Sequence, residues 1–135
     1  MKNVLVRQPS FSSGNIGDLA LIKTLNKIFK KCNLIIPSNT KELDSIDINN
    51  IDILIYFGND CIAYYGISKQ IIKKFLSKKK KIYIINTSWG EYPKEDNLNF
   101  LKSIKDDPNF QICMRDKFSY ELIQQNINFY NKPIL

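Results

Sequence analysis

Two arginines stand out chemically in a chain whose other basic residues are all lysine. Arg7 and Arg115 each follow an apolar run of strand length. A guanidinium group is a planar fork of donors that matches a carboxylate, a phosphate or fixed backbone carbonyls, and lysine cannot reproduce it. Both arginines are therefore candidates for anion binding or, alternatively, for a structural hydrogen-bond clamp at a strand end.

Residues 12–25, SSGNIGDLALIKTL, combine a glycine-containing turn with the start of an amphipathic helix. Gly14 and Gly17 allow another molecule to approach the backbone closely, and Asp18 is predicted to be the helix N-cap. Such a unit often holds an anionic or sugar-like ligand in α/β proteins. No dinucleotide or P-loop motif is present, and Asp18 would repel a phosphate. The alternative is a capped tight turn without a ligand.

The elements that must position these residues alternate between strand and helix. Continuous apolar runs are typical of strands covered on both faces, and about six strands and four helices are predicted. Ser68 and Asp116 are predicted helix caps, and Asn126 a left-handed helix end. The predicted strands cover residues 4–6, 33–36, 51–57, 81–86, 110–114 and 127–130. We therefore predict an α/β fold, a Rossmann-like doubly wound parallel sheet with right-handed crossovers.

The unusual loops all follow predicted strands. In a parallel sheet the carboxyl ends of the strands share one edge, where ligands collect. The segments placed there are Arg7, residues 14–18, residues 58–60, residues 87–92 and Arg115-Asp116. Their concentration at one edge predicts a site.

Length and composition indicate one globular domain of 135 residues with a net charge of +7. No membrane span or leader pattern is present, so a cytoplasmic location is expected. The densest lysine run, residues 78–81, is interpreted as a solvated helix end. Cys32, Cys61 and Cys113 form neither a metal set nor a disulfide framework. Cys32 and Cys113 are predicted to be buried, and Cys61 to lie in a loop.

Four loop segments, in this order, resemble the polysaccharide pyruvyl transferase family. Asn15-x-Gly17-Asp18 before an apolar helix is similar to its N-terminal signature, and the strand ending at Gly58 matches the position of its glycine-rich second loop. The segment Thr87-Ser88-Trp89-Gly90-Glu91-Tyr92 resembles a third loop of the family. Arg115-Asp116-x-x-Ser119 resembles its Arg-Asp-x-x-Ser element.

The resemblance implies a fold like that of two-domain glycosyltransferases. Residues 1–135 would be a single domain equivalent to the N-terminal half, with the C-terminal domain absent. It also implies transfer of an enolpyruvyl group from phosphoenolpyruvate to hydroxyls of a glycan acceptor. No cofactor and no metal are expected. The family's phosphoenolpyruvate-binding basic residues and histidine would lie largely in the other half.

The implied reaction needs a proton donor and a base. The chain contains no histidine, so the catalytic candidates are Asp18, Asp60, Glu91 and Asp116. The resemblance assigns substrate binding to Asn15, Gly17, Asp18, Gly58, Asn59, Ser88, Trp89 and Arg115. Catalysis is expected only with a second-domain polypeptide, because a lone domain leaves these groups in water.

Two other functions remain open. The loops at the strand ends would also suit a non-catalytic domain that binds a sugar or nucleotide-sugar. The positive charge would suit a nucleic-acid-binding module, a less favoured interpretation. Tyr64, Tyr65, Trp89 and Tyr92 are predicted to lie on the face that a partner domain would cover, or alternatively to fold back over the sheet edge.

Overall fold

The computed structural model describes residues 1–7, 16–65 and 67–135, apart from the side chains of Ile16, Asp18, Tyr64 and Tyr65. The strands are β1 (Lys2–Arg7), β2 (Cys32–Ile35), β3 (Ile53–Asn59), β4 (Lys81–Thr87) and β5 (Phe110–Met114). The helices are α1 (Ile16–Ile28), α2 (Thr40–Ser45), α3 (Lys69–Ser77), α4 (Glu95–Ile104) and α5 (Lys117–Asn126). A 3₁₀ turn (Ile48–Asn50) precedes β3, and a π-helical turn (Cys61–Tyr65) follows it.

The five strands form one sheet in the order β2-β1-β3-β4-β5, and every pair of neighbours is parallel. This confirms the predicted α/β fold with a Rossmann-like parallel sheet. From β1 the chain adds β2 on one side of the sheet and then β3, β4 and β5 on the other side. The position between β1 and β3 is therefore the topological switch point, where sheets of this kind bind ligands.

Alternate residues along the strands supply two cores, one on each face of the sheet. Val4, Val6 and Phe57 pack with Leu25 of α1 on one face. Leu5, Leu54 and Ile82 belong to the larger core on the other face, which also includes buried residues of α3, α4 and α5. Period-two alternation in the strands therefore explains why helices are needed on both faces.

The sixth predicted strand is wrong. Residues 127–130 form no strand; instead Ile127 and Phe129 are buried in the larger core. Pairing with β5 occurs only at Ile134, which makes an isolated parallel bridge to Cys113. The apolar residues that suggested a strand pack their side chains into the core. The backbone reaches the edge of β5 only at Ile134, four residues after the predicted strand ends.

The helix ends correct three predictions. Helix α1 begins at Ile16, so Asp18 lies in its first turn and not at the N-cap. Ser68 holds the predicted N-cap position of α3, but its hydroxyl makes no capping hydrogen bond and instead accepts one from the Tyr56 hydroxyl at 3.5 Å. Helix α5 includes Asn126, and the chain leaves it through extended backbone at Ile127. The prediction for Asp116 is confirmed, since its Oδ1 accepts a hydrogen bond from Ser119 N at 2.8 Å.

Candidate functional site

Three polar side chains tie together the carboxyl ends of β3, β4 and β5. The Ser88 hydroxyl donates a hydrogen bond to Asp60 Oδ1, and Arg115 Nη2 lies 3.6 Å from the same oxygen. Backbone bonds support this arrangement, because Ser88 N donates to Asn59 O at 2.8 Å and Arg115 N donates to Thr87 O at 2.9 Å. The sequence separates Asp60, Ser88 and Arg115 by 27 or more positions, and the parallel sheet brings them to one place.

Ser119 connects the start of α5 to the loop after β4. Its hydroxyl donates to Asp116 Oδ2 at 2.9 Å and accepts the backbone N–H of Trp89, also at 2.9 Å. Ser119 is only 2% exposed. Asp116 therefore uses both carboxylate oxygens to hold Ser119, which in turn fixes the Trp89 backbone. This gives the Arg-Asp-x-x-Ser element a positioning role.

The predicted aromatic face is only partly correct. The side chain of Trp89 is buried, at 7% exposure, within the larger core, so the prediction of an exposed indole is wrong. Tyr92 is 70% exposed, as predicted for this face. Tyr64 and Tyr65 have side chains outside the described part. Ser119 fixes the Trp89 backbone, and the indole packs into the larger core.

Asn86 lies beside the candidate site and was not among the predicted site residues. Asn59 and Asn86 both have left-handed backbone, with φ of +42° and +54°, and Asn86 Nδ2 donates to Asn59 Oδ1 at 2.8 Å. Asparagine adopts this conformation more readily than most residues, and such backbone concentrates at functional sites. The sequence signal for this position was that Asn86 stands at the end of an apolar run of strand length.

Gly58 and Gly90 are required by close packing. An ideal Cβ on Gly58 would overlap the Thr87 hydroxyl oxygen and lie 2.9 Å from Ile84 Cγ2. An ideal Cβ on Gly90, whose φ is +80°, would overlap Ala63 Cβ. Gly58 is buried between β3 and β4, so its visible role is to let those strand ends approach each other.

A buried asparagine binds the backbone of the turn after β3. Asn97 Nδ2 donates to Cys61 O at 2.9 Å and to Ile62 O at 3.0 Å, and Asn97 is 4% exposed. Burial, with a smaller contribution from the Asp60 charge, raises the pKa of the Cys61 thiol to about 12. Cys61 is therefore a buried, protonated thiol in the π-helical turn, and the predicted loop position is wrong. Cys32 and Cys113 were predicted to be buried, whereas both are only half-buried.

An open cleft of about 460 Å³ lies over this cluster. Its charged lining consists of the carboxylates of Asp60, Glu91 and Asp116 and the guanidinium of Arg115. Phe118, 67% exposed, contributes an apolar part of the lining. This lining offers an excess of acceptor oxygens and an aromatic ring. Such groups bind a hydroxyl-rich, uncharged ligand better than a multiply charged anion.

The predicted site residues therefore divide into three groups. Asp60, Ser88, Glu91, Arg115 and Asp116 come together in the cleft, with Trp89 contributing to its wall. Gly58 and Asn59 lie at the end of β3 beside it. Gly17 is exposed in the first turn of α1, with Asp18 next to it, and Asn15 lies outside the described residues. Within the described ranges, no group of three or more His, Cys, Asp or Glu could hold a metal ion.

The parallel sheet defines an α/β protein of the Rossmann-like class, and the polar cluster at its carboxyl edge is the candidate ligand site. The chain belongs to the polysaccharide pyruvyl transferase family, whose family model matches residues 15–135. Comparison with curated proteins and with solved structures gave no significant match. The helices described here include none long and apolar enough to cross a membrane.

Proposed function

We propose that this protein takes part in transferring a pyruvyl group from phosphoenolpyruvate to a sugar hydroxyl, and that the acidic cleft holds the glycan acceptor. Family membership supports a pyruvyl transferase-like, polysaccharide-modifying function with a glycan as acceptor. The observation that carries the finer proposal is the lining of the cleft, in which three carboxylates stand against one guanidinium. Sugar hydroxyls donate to carboxylates, whereas the carboxylate and phosphate of phosphoenolpyruvate would be repelled.

Of the three carboxylates, Asp60 is the best placed to accept the proton of an acceptor hydroxyl. Asp116 is occupied by Ser119 through both oxygens, and Glu91 is exposed to solvent. Asp60 is 33% exposed and held by Ser88 and Arg115. Held in this way, a carboxylate has the positioning that general-base catalysis requires.

Forming a pyruvyl ketal consumes two sugar hydroxyls. Each oxygen forms a bond to C2 of phosphoenolpyruvate, and the bond from C2 to the phosphate oxygen breaks. The two hydroxyls release two protons. One accounts for the proton that the methylene carbon takes up when it becomes a methyl group, and the other leaves with the phosphate. In this proposal Asp60 accepts one of them, and the phosphate and carboxylate bind to cationic residues of a second domain facing the cleft.

The test combines binding and turnover. We expect a neutral glycan acceptor to shift backbone amide NMR signals of residues 88–91 and 115–119, and the Asp60→Asn variant to abolish pyruvyl ketal formation while the acceptor still binds. Ketal formation is measured by NMR in the presence of phosphoenolpyruvate and the partner domain. The control is Asp106→Asn, which removes an exposed carboxylate next to Lys105. Acceptor shifts outside the cleft, or full turnover by Asp60→Asn, would refute the assignment.

A further inference from the structure

A second cavity, larger and opposite in charge, lies at the end of β1. It has a volume of about 600 Å³ and runs between α2 and α3. Among the residues that the structure describes, its charged lining consists of Arg7, Lys69 and Lys74 and the carboxylate of Asp44. A pocket of this size is typical of sites for small organic ligands. We call this cavity the Arg7 groove.

Arg7 is held in place by the strand beside it. In the register of β1 and β3, Arg7 is the partner of Tyr56, and its guanidinium carbon lies 5.6 Å from the centroid of the Tyr56 ring. Tyr56 is itself 3% exposed, and its hydroxyl accepts a hydrogen bond from Ser68 N at 3.3 Å. The Nε and Nη1 atoms of Arg7 are buried. A guanidinium supported on a packed aromatic ring has little freedom left to lose when a ligand binds.

The rest of the groove combines apolar and polar contacts. Leu43, Ile46 and Ile71 line it together with Thr40 and Gln70. A ligand that matches this lining has an anionic head for the guanidinium and the two ammonium groups, and a compact apolar or mixed body. Inorganic anions alone would leave the apolar lining without a partner.

We propose that the Arg7 groove binds a small organic phosphate or carboxylate, with the anionic head on Arg7. The groove lies at the β1/β3 switch point of the sheet, where ligands of open α/β folds bind. It is distinct from the acidic cleft, which lies over the ends of β3, β4 and β5. The assignment does not depend on pyruvyl transfer, since it follows from the groove's own charge and shape.

The probe is phenyl phosphate, which has a dianionic head and an apolar ring. We expect saturable binding by calorimetry, with amide NMR shifts confined to Arg7 and to residues 40–46 and 67–74. Arg7→Gln should weaken binding about tenfold, as loss of a charge-assisted hydrogen bond does. Benzoate and inorganic phosphate, titrated separately, distinguish a carboxylate site from a phosphate site, and phenol reports the apolar contribution alone.

Two further variants keep the test decisive if Arg7→Gln loses its fold. The Lys69→Gln/Lys74→Gln double variant changes side chains at the groove's rim and should weaken binding several-fold. Lys23→Gln removes a matched charge from the exposed face of α1 and should leave the affinity unchanged. Equal affinity in the double variant and in Lys23→Gln, absence of saturable binding to the unmodified protein, or shifts outside the groove would each overturn the proposal.

Discussion

Gly58→Ala is the sharpest test of how the strand ends are packed. The sequence associates Gly58 with a substrate-binding loop, whereas the structure places it against β4. The added methyl group would overlap the hydroxyl oxygen of Thr87 and press on Ile84. Thr87 and Ile84 are both fully buried, so neither side chain can move out into solvent to make room.

The magnitude follows from overpacking. Inserting one carbon into a filled core destabilises by about 1–3 kcal/mol, and the overlap with Thr87 argues for the upper end. For a domain of this size, about 3 kcal/mol corresponds to a decrease in Tm of roughly 10 °C. Urea unfolding followed by circular dichroism measures the change in the free energy of unfolding.

A double-mutant cycle with Thr87→Ala tests the stated cause. The Thr87 hydroxyl has no hydrogen-bond partner among the residues that the structure describes, so its removal sacrifices no visible bond. We expect the Gly58→Ala/Thr87→Ala variant to be more stable than the sum of the single changes predicts, by about 1–2 kcal/mol. The rescue is partial because Ile84 remains.

Gly17→Ala is the matched control. Gly17 is exposed in the first turn of α1, where alanine is favoured over glycine by roughly 0.5–1 kcal/mol. We therefore expect the control to be slightly stabilised. An unchanged stability of Gly58→Ala, or strict additivity in the cycle, would refute the packing argument and return Gly58 to a role in ligand approach.

Three further predictions concern the hydrogen bonds and the thiol at the site. Ser119→Ala should lower the free energy of unfolding by about 1–3 kcal/mol, because it leaves the buried Trp89 N–H without its acceptor. Ser77→Ala, which removes an exposed hydroxyl bonded to Lys74 O, should change it by less than about 0.5 kcal/mol, and equal denaturation midpoints for the two variants would contradict the reasoning. Arg115→Lys should change the free energy of unfolding by less than about 1 kcal/mol, because the side chain is 47% exposed. The same variant should bind the glycan acceptor more weakly in calorimetry, and unchanged binding would show that the guanidinium fork is incidental. Ionisation of Cys61 should make the protein less stable as the pH rises above 9. The pKa of this thiol is about 12 in the folded protein and 9.0 for the reference thiol, so the unfolded chain ionises first. Relative to Cys61→Ala, the loss between pH 9 and 10 should be about 1 kcal/mol, and parallel stability curves for the two proteins would refute the burial of this thiol.

The local signals in the sequence were sufficient for the sheet and for several site residues. The apolar run of β3 and the positions of Arg115 and Asp116 identify strand ends from neighbouring residues alone, because strand formation and N-capping depend on short-range chemistry. A parallel sheet then requires those ends to share one edge. The approach of Asp60, Ser88 and Arg115 is therefore predictable without side-chain detail.

Tertiary packing decided what those residues contact. Nothing local to Trp89 indicates that its backbone bonds to Ser119, 30 positions away, or that its indole is buried in the larger core. Residues 127–130 have the composition of a strand, yet the core takes their apolar side chains, and pairing occurs at Ile134. The sequence by itself determined which residues reach the carboxyl edge of the sheet. Only the tertiary structure decided that the carboxylates line one cleft while Arg7 lines another, because the strand order places the end of β1 away from the ends of β4 and β5 along the same edge of the sheet.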